Sequence, residues 1–188
     1  MRSLEFHYLF KYPFETVVRA YFQKYSCGKD KNVTSVAILE CTRDANSGEE
    51  YYLRRGKCVN VLPSIFRKFW PYDIEIEEEM WINHDKQYMR LHSYNVTGAS
   101  LAKLEEFSIY APSQYNRSWT VMDQTGKVTV CGLGPTLGGM LELFTIRFFQ
   151  HGADRGFKIM EDLLMSMTTT YEQKPSFSRS YSCNEETS

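Results

Sequence analysis

The feature that most constrains this chain is a run of short β-type segments joined by polar turns, with no long helix between them. The segments cover residues 33–42, 50–61, 73–82, 87–96, 104–110, and then 117–123 and 127–131 on either side of Thr125-Gly126. A parallel pair of strands needs a crossover connection of about a dozen residues or more, so strands at this spacing pair with their neighbours in antiparallel fashion. The middle of the chain is therefore predicted to be an antiparallel meander.

A strand and a short helix precede the meander, and a long helix follows it. Residues 3–11 alternate apolar and polar side chains, and a helix with a 3.6-residue apolar period opens at Pro13. Over 135–169 apolar residues recur at helical spacing, interrupted at Gly152 and Gly156. This order predicts an α+β fold, in which a large curved antiparallel sheet wraps against the long C-terminal helix. A lined cavity results if sheet and helix do not fill the gap between them.

The length and charge of the chain narrow the class of protein. The chain has 188 residues, which fits one domain over 1–171 and a polar tail over 172–188 that is predicted to be disordered. Lys and Arg number 22 against 23 Asp and Glu, a formal net charge of -1, so the chain lacks the basic excess of a nucleic-acid binder. No apolar run approaches the ~20 residues that span a bilayer. The first residues are not typical of a secretory signal or a presequence.

The residue types that carry chemistry do not form a catalytic, metal or cofactor motif. The five cysteines lie far apart without a C-x-x-C pair, and the four histidines lie in different segments. The glycine-rich stretch 131–139 has Leu137 where a dinucleotide fingerprint needs glycine, so it is interpreted as a flexible elbow between strand and helix. Residues 77–79 are three consecutive glutamates in a strand, which cannot all share one face, and they are expected to be solvated. We therefore expect no catalytic residue, no metal, no cofactor and no enzyme activity.

One connection between strands is unusually apolar for a surface loop. Arg67 and Lys68 lie within it, and prolines bracket it. Exposed apolar and basic residues on one loop are typical of a lid or an anchor that touches a membrane transiently. The alternative is an ordinary short core helix. The predicted lid and membrane-contact residues are Leu62, Pro63, Ile65, Phe66, Phe69 and Trp70.

Several motifs, taken together and in order, resemble the PRELI domain family over residues 3–165. They include Lys11-Tyr12-Pro13-Phe14-Glu15, Leu62-Pro63-Ser64-Ile65, Glu77-Glu78-Glu79-Met80-Trp81, Leu104-Glu105-Glu106 and Gly152-Ala153-Asp154-Arg155-Gly156. The resemblance implies a StART-like lipid-transfer fold. It further implies transfer of one anionic phospholipid, of the phosphatidic acid or phosphatidylserine class, between mitochondrial membranes. The implied location is the intermembrane space, and the implied partner is a small twin-CX9C helical hairpin protein.

The resemblance also implies which residues bind the lipid headgroup. Lys24 takes the place of the basic residue in the family's R/K-Y-P-N-P turn, although Ser26-Cys27-Gly28 replaces its last residues. Other family positions fall on Cys58, Val61 and Gly152, which carry no charge. A lipid sensor or partner-binding scaffold with the same fold and no transfer activity is the alternative. The implied headgroup residues are Lys24, Asn32, Arg54, Lys57 and Arg155.

Overall fold

The computed structural model describes residues 2–68 and 72–172. Within these residues the chain forms one seven-stranded sheet and three helices. The elements in chain order are β1 (Arg2–Phe10), α1 (Phe14–Gln23), β2 (Val33–Arg43), β3 (Glu50–Cys58), α2 (Ser64–Arg67), β4 (Ile74–Asn83), β5 (Tyr88–Asn95), β6 (Ala102–Pro112), β7 (Thr120–Val130) and α3 (Gly134–Glu172).

The predicted antiparallel meander is confirmed. The strand order in the curved sheet is β1-β7-β6-β5-β4-β3-β2, and every pair is antiparallel. We call the face that meets α1 and α3 the inner face and the opposite one the outer face. Because successive side chains point to opposite faces, the pair Arg54 and Glu78 lies on the inner face, and its neighbours Arg55 and Glu77 lie on the outer face.

The expected turn at Thr125-Gly126 is wrong, since β7 runs through it as one strand. Gly126 is paired with Leu4 of β1 and with Glu106 of β6. A Cβ atom on Gly126 would stand 3.6 Å from the ring of Phe149 on α3. This distance is an ordinary van der Waals contact, so Gly126 continues the strand at a place where the long helix lies close to the sheet, and does not turn the chain.

The expected interruptions of the last helix are also wrong. α3 passes through Gly152 and Gly156 without a break. A glycine inside a helix costs about 1 kcal/mol relative to alanine, which tertiary packing outweighs over a helix of this length. The helix packs against β7 at one end and against α1 at the other.

Two apolar clusters fix α3 against the sheet, one near each end of the helix. The larger joins α1, the inner face and the C-terminal half of α3, and its most buried members include Phe10, Phe14, Val17, Met80, Ile82, Met89, Met160 and Leu164. The smaller joins α2 to the beginning of α3 through Phe66, Ala102 and Leu141. Between these two clusters a cavity separates part of the helix from the sheet.

The predicted tail, 172–188, lies outside the described residues apart from Glu172, where α3 ends. Among the described helices, none combines the length and the apolar character needed to cross a membrane.

Candidate functional site

A cavity of about 240 Å³ lies between the inner face of the sheet and the middle of α3. Most of its wall is apolar, because the inner-face positions and the sheet-facing stripe of α3 are apolar. The apolar residues that line it include Phe10, Val33, Val59, Val61, Leu62, Ile74, Ile76, Leu104, Met122, Phe144, Phe148, Phe149, Phe157 and Met160.

Lys24 brings a cation into this apolar space. It caps the C-terminal end of α1, and its Nζ lies 4.9 Å from the centre of the Tyr25 ring and 5.5 Å from that of Tyr21. Desolvation lowers the pKa of Lys24, but Tyr25, Glu106 and Glu78 together raise it by a larger amount. The net pKa therefore lies above the ordinary value. Lys24 therefore keeps its positive charge inside the cavity.

Glu106 brings a carboxylate into the same space. It lies on the inner face of β6, where it lines the cavity. Desolvation raises the pKa of the Glu106 carboxyl, and the neighbouring charge of Glu78 raises it as well, whereas Lys24 and a hydrogen bond with Gln124 lower it. The net shift is upward, which means that burial of this carboxylate is incompletely compensated.

A second group of polar residues lines the cavity where the chain enters β2. The Nε of Arg155 lies 3.4 Å from Oδ1 of Asp30, and the same oxygen accepts a hydrogen bond of 3.0 Å from the backbone N–H of Asn32. All three residues line the cavity. Together with Lys24 they place three of the five implied headgroup residues on its wall.

Arg54 lies close to the cavity, but its guanidinium is already paired with the carboxylate of another residue. Its Nε donates a hydrogen bond of 3.0 Å to Oε1 of Glu78, and its Nη2 contacts the same oxygen. The other oxygen of Glu78 accepts a hydrogen bond of 2.6 Å from the Tyr21 hydroxyl. Desolvation lowers the pKa of Arg54, but Glu78, Tyr21 and Tyr25 together raise it by more. Arg54 is thus a buried structural cation and does not line the cavity.

Lys57 lies on the outer face of β3, where its Nζ is 3.6 Å from Glu75. The next residue, Cys58, points inward and lines the cavity. Alternation along the strand therefore directs the thiol, and not the lysine, toward the cavity.

The three consecutive glutamates do alternate between faces, but they are not simply solvated. Glu78 lies inside with Arg54, whereas Glu77 and Glu79 lie on the outer face. Glu77 accepts hydrogen bonds from Arg55 and Tyr94. The expected solvated face is therefore wrong, because cross-strand partners engage these carboxylates.

The predicted lid folds into the short helix α2, held by one buried side chain. Phe66 is only 1% exposed and belongs to the smaller apolar cluster, whereas Ile65 is 44% exposed. Leu62 lines the cavity and Pro63 precedes the helix. The other two predicted lid residues, Phe69 and Trp70, lie outside the described residues.

Sequence reasoning did not single out Glu106 as a site residue. The signal that could have found it is strand alternation, because Glu106 has the same parity as the apolar Leu104 and Tyr110 on β6.

Among the described residues, no group of three or more His, Cys, Asp or Glu side chains is placed to hold a metal ion.

A curved antiparallel sheet that holds a long helix around a lined cavity defines a helix-grip, or StART-like, protein. The fold is similar to three solved structures, each with low sequence identity. The protein TTHA0849 from Thermus thermophilus has a TM-score of 0.58 at 14% identity, covering 88% of this chain and 99% of that one. Ara h 8.0201 has a TM-score of 0.57 at 9% identity, covering 88% and 98%. The Zhui aromatase/cyclase from a Streptomyces species has a TM-score of 0.57 at 8% identity, covering 86% and 93%.

The chain belongs to the PRELI-like family, whose model matches residues 15–170. It is 25% identical over 182 residues to the UPS-like protein C36.10 of Schizosaccharomyces pombe, an alignment that covers 96% of this chain and 98% of that protein. The PRELI/UPS family is generally related to lipid binding and transfer. The family is related to lipid binding rather than to catalysis, although one structural neighbour is named as an aromatase/cyclase.

Proposed function

We propose that this chain is a phospholipid transfer protein. It carries one anionic phospholipid, of the phosphatidic acid or phosphatidylserine class, between mitochondrial membranes. The observation that carries the proposal is the cavity between sheet and α3, which is apolar on both walls and contains the charged Lys24. Acyl chains require such walls, and a phosphate requires such a cation.

The energetics explain why a carrier must have such a cavity. Moving a two-chain phospholipid into water exposes on the order of 30 methylene groups at about 0.8 kcal/mol each, or roughly 24 kcal/mol. A barrier of that size slows spontaneous escape to about 10⁻⁵ per second. A protein that replaces the lost apolar environment with side chains such as Phe144, Phe148 and Ile76 lowers this barrier.

Loading a lipid requires the wall of the cavity to move. The cavity of about 240 Å³ is smaller than typical ligand sites, which measure ~300–1,000 Å³. The part of the wall most suited to opening is the described part of the lid segment, 62–68. The helix α2 in this segment has only four residues, and Phe66 is its single buried side chain. Ile65, Arg67 and Lys68 are exposed there, so that an apolar and two basic side chains can meet an anionic membrane surface during loading.

The proposed location is the mitochondrial intermembrane space, and the proposed partner is a small twin-CX9C helical hairpin protein. Both follow from membership of the PRELI-like family, which supports them as a proposal. Nucleic acid is not a proposed partner, because the chain has a net charge of -1.

A liposome assay tests the proposal. The full chain is mixed, with and without the hairpin partner, with donor vesicles that contain labelled phosphatidic acid or phosphatidylserine and with unlabelled acceptor vesicles. We expect transfer well above the rate of vesicles alone. Ala153→Phe adds a ring to the cavity wall and should lower the rate about tenfold or more, whereas Met165→Phe, on the exposed side of α3, should not. Wild-type protein that moves no labelled lipid under either condition would contradict the proposal.

The second candidate function is a lipid sensor or a partner-binding scaffold without transfer activity. The observation that favours it is the engagement of two implied headgroup residues elsewhere, Arg54 by Glu78 and Lys57 by Glu75. Native mass spectrometry separates the candidates. Co-purified phospholipid together with transfer supports the carrier, bound lipid without transfer supports the sensor, and an empty chain bound to the hairpin partner supports the scaffold.

A further inference from the structure

The charges that line the cavity are balanced, although the proposed cargo is anionic. Within the described residues the charged side chains on its wall are Lys24, Arg155, Asp30 and Glu106. Arg155 and Asp30 form an ion pair with 3.4 Å between Nε and Oδ1, although this buried Nε has no hydrogen-bond partner among the described residues. Lys24 and Glu106 affect each other's pKa, but no described ion pair within 4 Å joins them. Among the described residues on the cavity wall, Lys24 and Glu106 are thus the cation and the anion that form no ion pair with each other or with the Arg155–Asp30 pair.

Glu106 belongs to a row of residues that crosses the sheet. Arg54 is opposite Glu78, Glu78 opposite Ser93, Ser93 opposite Glu106, and Glu106 opposite Gly126. The Glu78 carboxylate uses its acceptor sites on Arg54, Tyr21 and Ser93. The two glutamates of this row therefore differ, because Glu78 is fully engaged by the protein and does not line the cavity, whereas Glu106 does.

The groups that face Glu106 do not neutralise it. Lys24 approaches from the end of α1, Gln124 from β7 and Glu78 from β4, and their combined effect still leaves the pKa of Glu106 raised by burial. A carboxylate has about four acceptor sites, and Gln124 is the one hydrogen-bond donor that lowers the pKa of Glu106. A ligand group that donates hydrogen bonds and carries positive charge would supply what the protein does not.

We propose that Glu106 accepts a hydrogen bond from an ammonium group in the lipid headgroup while Lys24 binds the phosphate, so that the cavity selects aminophospholipids. This inference rests on the proposed function and deepens it. A bare phosphate monoester would place one to two negative charges beside Glu106 in a cavity of low dielectric, where like charges repel strongly. An ammonium next to the phosphate offsets that repulsion, because it pairs with the Glu106 carboxylate. Among anionic phospholipids, this favours a phosphoserine headgroup over an unsubstituted phosphate.

A competition experiment tests the role of Glu106. The full chain is incubated with vesicles that contain equal amounts of phosphatidic acid, phosphatidylserine and phosphatidylethanolamine, and the lipid retained by the re-isolated protein is quantified by mass spectrometry. We expect wild type to enrich the two amine-bearing lipids over phosphatidic acid. A hydrogen bond to a charged group is worth about a tenfold change in affinity or more. The ratio of amine-bearing lipids to phosphatidic acid should therefore be about tenfold lower in Glu106→Gln than in wild type. Glu105→Gln is the matched control, since Glu105 pairs with Lys103 at 2.9 Å on the outer face and should leave the enrichment unchanged.

A second measurement uses wild type alone and does not depend on the folding of a variant. Phosphatidylethanolamine is compared with N-acetyl phosphatidylethanolamine, which keeps the phosphate and the chains but lacks the ammonium. We expect the acetylated lipid to be retained about tenfold less. Three outcomes would overturn the inference and leave the proposed carrier function intact. Wild type could retain phosphatidylethanolamine and its acetylated form equally, or it could retain phosphatidic acid as well as the amine-bearing lipids. The third outcome is a Glu106→Gln variant that loses all lipids to the same extent. If wild type retains no phospholipid of any class, the proposed function fails and the inference fails with it.

Discussion

A Cβ atom on Gly156 of α3 would stand 3.0 Å from the Nζ of Lys24, so the long helix has no side chain where the cavity holds its cation. Replacement Gly156→Ala would push the ammonium aside by a few tenths of an ångström. The substitution also favours the helix by about 1 kcal/mol. We therefore expect the variant to be as stable as wild type or more stable, measured by thermal unfolding, and to retain less phospholipid in the extraction assay.

Gly139→Ala is the control for this substitution. Gly139 lies in the same helix, does not line the cavity and has open space where a Cβ would stand. It should gain stability without loss of lipid retention. An unchanged lipid retention in Gly156→Ala, or an equal loss in both variants, would show that the close approach of Gly156 and Lys24 has no bearing on binding.

Arg54 and Arg55 provide a direct comparison between the two faces of the sheet. Arg54→Met should cost about 3–5 kcal/mol, because it leaves the buried Glu78 carboxylate without its cation. Arg55→Met removes the equivalent contact to Glu77 on the outer face, where the arginine side chain is 39% exposed and solvent screens the ion pair, and should cost far less. Urea unfolding of both variants measures the difference. A similar loss of unfolding free energy in the two variants would show that the buried Arg54–Glu78 pair does not stabilise the fold more than the outer Arg55–Glu77 pair.

The sheet and the helices were predictable because their signals are local. Alternation along the strands, short polar turns and the helical period of α3 are all contained in neighbouring residues. The errors at Gly126 and at Gly152 and Gly156 arose because local rules treat glycine as a breaker. At Gly156 the neighbour that favours glycine is distant in sequence, because a Cβ atom there would stand only 3.0 Å from the Nζ of Lys24.

The candidate site was predictable only in part. Family resemblance placed Lys24, Asn32 and Arg155, which line the cavity. Lys57 could have been assigned to the outer face from alternation along β3. Alternation could not have excluded Arg54, because this residue does lie on the inner face. Its partner, Glu78, belongs to a different strand, so the ion pair is not visible in the sequence around Arg54.

The two neighbours Phe66 and Ile65 separate the structural role of α2 from its proposed role at a membrane. Phe66→Ala should cost about 3–5 kcal/mol of stability, because the side chain is 1% exposed and its removal leaves a cavity. Ile65→Ser should change stability little, since Ile65 is exposed, but should weaken binding to anionic vesicles. Chemical unfolding and vesicle co-sedimentation measure the two effects. Vesicle binding of Ile65→Ser at the wild-type level would argue against membrane contact through this residue.

Cys58 should report on the occupancy of the cavity. Desolvation raises the pKa of its thiol to about 11, so that about one molecule in a thousand carries the thiolate at pH 8. Cys27 and Cys131 are exposed free thiols on the same chain and serve as internal controls. We expect maleimide to label Cys58 much more slowly than the two controls, and more slowly still after lipid loading, as measured by peptide mass spectrometry. Labelling of Cys58 at the rate of Cys131 would contradict its enclosure.

The carboxyl of Glu106 should also contribute to the change of stability with pH. Because desolvation raises its pKa in the folded chain, the ionised form destabilises the fold at neutral pH. Glu106→Gln should therefore be more stable than wild type at pH 7.5. The difference should shrink as pH falls through the folded pKa toward the unfolded one, below which wild type is protonated in both states. Urea unfolding from pH 7.5 to pH 4 measures it.

Glu77 provides the comparison of opposite sign. A hydrogen bond from Arg55 is the largest influence on the pKa of Glu77 and lowers it, so its ionised form stabilises the folded chain above the unfolded pKa. Glu77→Gln should therefore be less stable than wild type at pH 7.5, and this deficit should disappear as pH falls through the folded pKa. If Glu106→Gln behaved like Glu77→Gln, Glu106 would be a partnered structural carboxylate. It would then have no unmet demand for a cation, and its assignment to the lipid headgroup would lose its physical basis.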